Sequence, residues 1–303
     1  MIQSILYFGT TLLLRAVLAL VSVFPLATRV RIMRVLIRLA VRVLPPVARR
    51  ADENLKLVYP QMSRPARRAL VGRVAQNVGA TLTEILFNAD YAAGSASLPI
   101  TGPGVAILEQ AHADGTGAIL VSGHFGQWEA VRHALRGRGM EVGALYRPNN
   151  NPYYEPIFRQ AIEVAGTPII PKSAAGNRQL LRHLKQGGIL ALLMDQYVQD
   201  GEALDFMGHA ACTSLSAAEL ALRYDLPLIP VFGTRRGHSV EVELETPIPP
   251  GTPHAMMQAF NLRLAARVQA DPDQWYWFHR RWRPHKHAVI WPPEGWTPVS
   301  EGA

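Results

Sequence analysis

The chain has 303 residues, of which 49% are hydrophobic and 18% charged, with a net charge of +8 at neutral pH. That length allows one large α/β domain with appendages, and the composition is too polar for a protein built chiefly of membrane spans. The single cysteine, Cys212, excludes an intrachain disulfide and a cysteine-rich metal site, which fits a reducing compartment.

The charge is concentrated at one end. Residues 1–50 hold eight arginines, at 15, 29, 31, 34, 38, 42, 49 and 50, with no lysine, aspartate or glutamate, and the remaining 23 Lys and Arg balance 23 Asp and Glu. These arginines sit among Leu, Val and Ile rather than in a polar tail, which favours a lipid surface over nucleic acid. Ile5 to Leu26 is mostly apolar and long enough to cross a bilayer, for which about 20 residues suffice. Arg15 interrupts it and must lie near a helix end or snorkel. In "RVRIMRVLIRLAVRVLPP", Arg31, Arg34, Arg38 and Arg42 recur at spacings of 3, 4 and 4 and share one helical face. Ile32, Val35, Leu36, Leu39 and Val43 cover the other. The pattern predicts a helix lying in an anionic interface and stopped at Pro45–Pro46; the alternative is a helix packed on the protein's own core. A cleaved signal peptide fits poorly, because no basic residue precedes the apolar run. The arginine excess after that run keeps the body cytoplasmic by the positive-inside rule.

Residues 1–50 therefore read as a membrane anchor or interfacial helices, 51–295 as one α/β domain, and 296–303 as a tail. "SRPARRALVGRVAQNVGATLTEILF" has helical periodicity, with Ser63 as N-cap and Pro65 in the first turn. From about Val105 the chain alternates. "GAILV", "EVGALY", "GILALLM" and "LPLIPVF" are short aliphatic runs bounded by Gly or Pro, and "NPYYEPIFRQAIEVAG" and "AGNRQLLRHLKQG" between them are helical. Such alternation predicts a mostly parallel central sheet flanked by helices. "HSVEVELETPIPP" reads as a more exposed late strand and "PHAMMQAFNLRLAARVQA" as a closing helix. No dinucleotide fingerprint is present, since Gly102-Pro103-Gly104 lacks its third glycine.

Ligands of such sheets collect beyond the carboxyl ends of the strands, and "SGHFGQWE", Ser122 to Glu129, begins at one. His124 in the turn before a helix would fold back over the first turn, where Glu129 projects. Glu129 would then accept a hydrogen bond from one imidazole nitrogen and fix the tautomer, leaving the other nitrogen to take a proton from an acceptor hydroxyl. Backbone N–H groups at the helix start would stabilise the oxyanion. The bland reading is a helix-dipole glutamate beside a packing histidine. No metal is expected: the motif is not His-Glu-x-x-His, and His133, His183 and His209 lack ligand spacing.

The words around this pair are more specific. The chain resembles the bacterial lipid A late acyltransferases, the lauroyl/myristoyl transferase family, through "HFGQWE" as its His-x4-Asp/Glu motif, "YRPNNNP", "MDQ", "FMGHAACT", "PVFGTRR" and the ending "QWYWFHRRWRP". The matches run in family order from about Asn54 to Pro284. Tyr197 replaces the third residue of the family's Asp-Gln-Asp, and Phe206-Met207-Gly208 replaces Phe-Phe-Gly. A family arginine falls near Ile162 or Glu163, with Arg159 one turn earlier.

The resemblance implies an inner-membrane O-acyltransferase, without cofactor, facing the cytoplasm. Its donor would be an acyl carrier protein or acyl-CoA thioester, and its acceptor a glycolipid, a lipid A precursor. On that carry-over His124 is the base and Glu129 its partner, with Arg147, Arg159 and Asp195 as substrate-binding candidates. Alternatives are another lipid acceptor (a lysophospholipid, ornithine lipid or mannosylated lipid) or a non-enzymatic lipid-binding protein of the same fold. The cluster Trp275, Tyr276, Trp277, His279, Arg280, Arg281 and Trp282 suits a headgroup region or an acidic carrier, or equally a packed closing segment.

Overall fold

Apolar and helix-forming residues dominate the first 95 positions, and the computed structural model makes five helices of them. These are α1 (Ile2–Ser22), α2 (Leu26–Val43), α3 (Pro45–Val58), α4 (Arg64–Leu86) and α5 (Asn88–Ser95). The structure describes residues 2–95, 97–237, 239–284 and 292–299; the expected tail at 296–303 lies outside the described residues from 300 onward. Ser63 caps α4 by accepting from the Ala66 amide, and Pro65 lies in the first turn, as the sequence predicts.

The helix α2 combines the two readings made of it. Met33 and Val41 are buried, and α4 meets this seam closely: a Cβ on Gly79 would lie 3.0 Å from the Met33 carbonyl oxygen and 3.1 Å from Ile37 Cβ. Val35, Leu36, Leu39 and Val43 point outward with exposures between 42% and 74%. One face thus packs on the protein while an apolar face is left bare. The neighbouring α1 also leaves Ile5, Leu6, Phe8, Leu12, Leu13 and Leu20 exposed, and Gln3–Ser22 is long and apolar enough to cross a membrane.

The rest alternates strand and helix: β1 (Ile100–Thr101), α6 (Gly104–Ala113), β2 (Ala118–Ser122), α7 (Ala130–Arg136), β3 (Val142–Tyr146), α8 (Glu155–Glu163), β4 (Ile169–Pro171), α9 (Ala174–Lys185) and β5 (Ile189–Leu193). A hairpin of β6 (Glu202–Phe206) and β7 (His209–Thr213) follows, then α10 (Ser216–Tyr224), β8 (Leu228–Arg236), β9 (Ser239–Leu244) and α11 (Pro253–Ala270). The main sheet runs β1-β9-β8-β2-β5-β3-β4. Only the β8–β9 pairing is antiparallel, so β1 and β9 oppose the other five strands.

Buried on all five residues, β2 is central and lies between β8 and β5. Its continuous aliphatic run is what burial on both faces requires. Core side chains form one large cluster toward α3, α4, α10 and α11, and a second around Leu120, Val142, Val231 and Val242 on the opposite face of the sheet.

Candidate active site

The in-register pairing of β2 with β5 builds the centre of the site. Ser122 pairs with Leu193, and the Met194 amide donates to the Ser122 carbonyl beyond the last pair. Two residues further along each strand stand His124 and Asp195. His124 Nδ1 is 2.8 Å from Asp195 Oδ1, and the His124 amide donates to Asp195 Oδ2 at 2.8 Å. Trp275 Nε1 donates to the same Oδ2 at 2.8 Å. Asp195 is fully buried. Its burial works to raise the carboxyl's pKa, but the charge and hydrogen bonds of His124, helped by His279, outweigh this and hold it well below the usual carboxylate range. Gly123 is required by this crowding: a Cβ there would meet Leu264 at 2.9 Å and Asp195 Cβ at 3.3 Å.

The C-terminal segment closes over the imidazole. The Tyr276 amide donates to the His124 carbonyl, and Phe125 forms an antiparallel bridge with Trp275. Ring centroids of Trp128, Tyr276 and His279 lie 5.2, 6.1 and 4.9 Å from that of His124. Burial, reinforced by His124, pulls the His279 pKa down to about 3, so this second imidazole is neutral. The Gln196 side-chain nitrogen lies 3.4 Å from Nε2 of both histidines. A neutral His124 that donates from Nδ1 to Asp195 carries its lone pair on Nε2, which this amide faces.

Three expected site features have other partners in the structure. Glu129 does not orient the imidazole; among the described residues its carboxylate bonds Arg132 Nη1 at 2.7 Å. Arg132 in turn donates to the carbonyls of Val142, Ile162 and Gly166, tying β3 to the end of α8. The cause is local: α7 begins at Ala130, so Glu129 occupies the N-cap position and Arg132 follows it by one turn. Both oxygens of Asp195, a candidate for substrate binding, face protein donors. Most amides at the start of α7, expected as oxyanion donors, already have protein acceptors. Those of Phe125, Gly126, Gln127, Glu129 and Ala130 are engaged in this way.

The other predicted residues lie apart from this centre. Arg147 is exposed and bonds Asn150, and Arg159 is exposed and paired with Glu163. The surrounding "YRPNNNP" motif has a different contact: Asn151 Nδ2 donates to the Tyr7 carbonyl and to Thr11 Oγ1 of α1. The apolar helix therefore docks on the loop that follows the carboxyl end of β3, the sheet end that also bears His124. In the aromatic ending, Trp275, Trp277 and Arg281 are fully buried, so for these three the packed-segment reading holds. Arg281 donates to the Cys212 carbonyl and Thr213 Oγ1. Spacing does not reveal His279 as a neighbour of His124, since 155 positions separate them and only the fold joins them.

Ligand atoms of His124, Asp195 and His279 all lie within 4.8 Å of one another. With the Asp195 oxygens committed, two imidazole nitrogens remain, fewer than the three protein ligands of a catalytic zinc site.

A paired His and Asp stand at the carboxyl end of a mostly parallel sheet in an α/β protein whose N-terminal helices leave apolar faces bare. The match to known proteins gives the chemistry. A family model described as bacterial lipid A biosynthesis acyltransferase matches residues 3–284, and the chain belongs to this family. It is also similar to a lipid A biosynthesis acyltransferase of Haemophilus influenzae, 22% identical over 248 residues covering 78% of this chain and 76% of that protein. The protein is an acyltransferase.

Proposed function

We propose that this enzyme moves a fatty acyl chain from an acyl thioester, on acyl carrier protein or coenzyme A, to a hydroxyl of a lipid A precursor. It does so at the cytoplasmic face of the inner membrane, with His124 as general base and Asp195 as the residue that orients it. The observation carrying the reading is the Nδ1–Asp195 hydrogen bond, which leaves the Nε2 lone pair for a substrate proton. His124 remains reachable, with 19% of its side chain exposed.

In the reaction, Nε2 takes the proton of the acceptor hydroxyl as its oxygen bonds the thioester carbonyl carbon. Collapse of the tetrahedral adduct breaks the C–S bond, and the imidazolium returns the proton to the departing thiolate. The Gln196 side-chain amide is the donor nearest to this point and stabilises the oxyanion. Arg147, beyond the carboxyl end of β3, is better placed for an anionic substrate group than Arg159, which Glu163 already pairs. The bare faces of α1 and α2 hold the site against the bilayer.

Purified protein assayed with acyl thioester and a panel of deacylated glycolipids tests the assignment. His124→Ala should lower the rate by at least about 10²-fold, and Asp195→Asn, which cannot hold the imidazolium, by a comparable factor. Near-normal transfer by His124→Ala would remove the catalytic assignment. Mass spectrometry of host glycolipids with and without the gene should show loss of one secondary acyl group.

A further inference from the structure

A cleft of about 610 Å³ opens beside the segment that carries His279, walled by Arg49, Arg50, Glu53, Arg280, Trp282 and Arg283. Four guanidinium groups face one carboxylate. Among the described residues none of the four has a carboxylate partner within ion-pair distance, although ten other arginines do. Arg50 donates to the Phe278 carbonyl and Arg283 lies over the Tyr197 ring, while Arg49 and Arg280 are exposed. Unpaired arginines converging on one concavity raise its potential and fit an anion with several acceptor oxygens.

The location narrows the ligand. Asn54, also in the cleft wall, donates to the carbonyls of Trp277 and His279 at 2.8 and 2.7 Å, so the cleft is fixed to the backbone of a residue whose ring meets the His124 imidazole edge to face. At its other side α3 begins directly after the bare Val43 and Leu44, 74% and 50% exposed. An anion held here lies between an apolar surface and the reacting centre, at headgroup depth.

We propose that this cleft is a subsite for a phosphate group of a substrate bound at His124, on either the lipid acceptor or the pantetheine arm of the donor. The proposal rests on the acyl-transfer reading for the phosphate's carrier, but the anion site itself does not depend on it. The test compares intact enzyme with Arg49→Gln/Arg280→Gln, both exposed positions, and with Glu53→Gln. Acceptors are supplied phosphorylated or phosphatase-treated, and donors as pantetheine thioesters with or without their phosphate.

The double variant should raise KM about tenfold for the phosphate-bearing form of one substrate, erasing its advantage over the stripped form, and Glu53→Gln should shift it the opposite way. Loss on the acceptor side names the acceptor as the source, and loss on the donor side the donor. Undiminished preference for phosphate on both sides overturns the proposal. Calorimetric titration with inorganic pyrophosphate gives a readout independent of catalysis: saturable binding by the intact protein should disappear in the double variant. If no acyl transfer occurs with any substrate, the acyl-transfer reading falls, and the titration alone decides the cleft; equal pyrophosphate binding by both proteins overturns it.

Discussion

His124 and Glu129 stand five positions apart, yet the hydrogen bond of the first to Asp195 and the ion pair of the second with Arg132 do different work. The hydrogen bond touches a ring whose far nitrogen is reachable; the ion pair is buried, with 3% of the arginine side chain and 11% of the glutamate side chain exposed. Breaking a buried pair leaves one charge uncompensated. Glu129→Gln should therefore cost about 3 kcal/mol of stability, read as a lowered denaturant midpoint, whereas Asp195→Asn should show its main effect in kcat. A Glu129→Gln protein that melts normally but transfers no acyl group would restore a catalytic role for this residue. The residue type at 129 was legible from the motif. Its partner was not, because the difference between Asp195 and Arg132 as neighbours depends on where α7 starts and which strand lies beside β2.

At the scale of elements, the helices that face lipid in this reading are also bolted to the sheet. The helix α4 carries buried polar residues toward the loop that bears His124: Thr81 donates to the Gly126 carbonyl, and Glu84 accepts from Gln127 and Arg235. Since α2 packs on α4, and Asn151 holds α1, the bare helices and the position of the His124 loop are mechanically linked. The bare apolar face of α2 makes a direct prediction. Leu36→Glu/Leu39→Glu should release the protein from anionic vesicles in flotation assays, because each buried leucine gives up about 1.5–3 kcal/mol of apolar transfer. Its melting temperature in detergent should stay unchanged, since neither side chain packs inside the fold. Retained flotation would assign membrane binding to α1 alone. The strands β2, β3, β5, β8 and β9 were readable from their aliphatic runs or alternation and their Gly or Pro boundaries, and α2, α4, α8, α9 and α11 from their period, whereas β1, β4 and the β6–β7 hairpin were not.

For the whole molecule, acid should act through buried histidines as well as carboxylates. Burial, with Arg132 and Arg136 nearby, pulls His133 down to about 4, and His279 lies at about 3. Both are lowered from an unfolded value near 6.5, so below that pH the unfolded chain binds more protons than the folded one. Each histidine then costs at most about 1.4 kcal/mol of stability per pH unit. This loss begins near pH 6.5 and ends for each residue near its folded value. Asp195 adds a later loss, beginning only below its unfolded value near pH 4, because its folded pKa is depressed. Chemical denaturation across pH 7 to 4 should show a falling midpoint already at pH 6, and His133→Gln should flatten that limb. A flat midpoint down to pH 5 would contradict the burial of neutral imidazoles.

Local physics written along the chain determined the class of fold, the bare N-terminal helices, the place of His124 at a strand exit and, through ordered motifs, the family. Hydrophobic period and turn residues act over a few positions, so they survive in one dimension. The partner of that histidine, the neutral imidazole beside it and the arginine cleft were decided by tertiary structure alone. Each joins side chains separated by 71 or more positions, as His124 joins Asp195 and Arg49 joins Arg280, and strand order and register, which no local pattern encodes, bring them together.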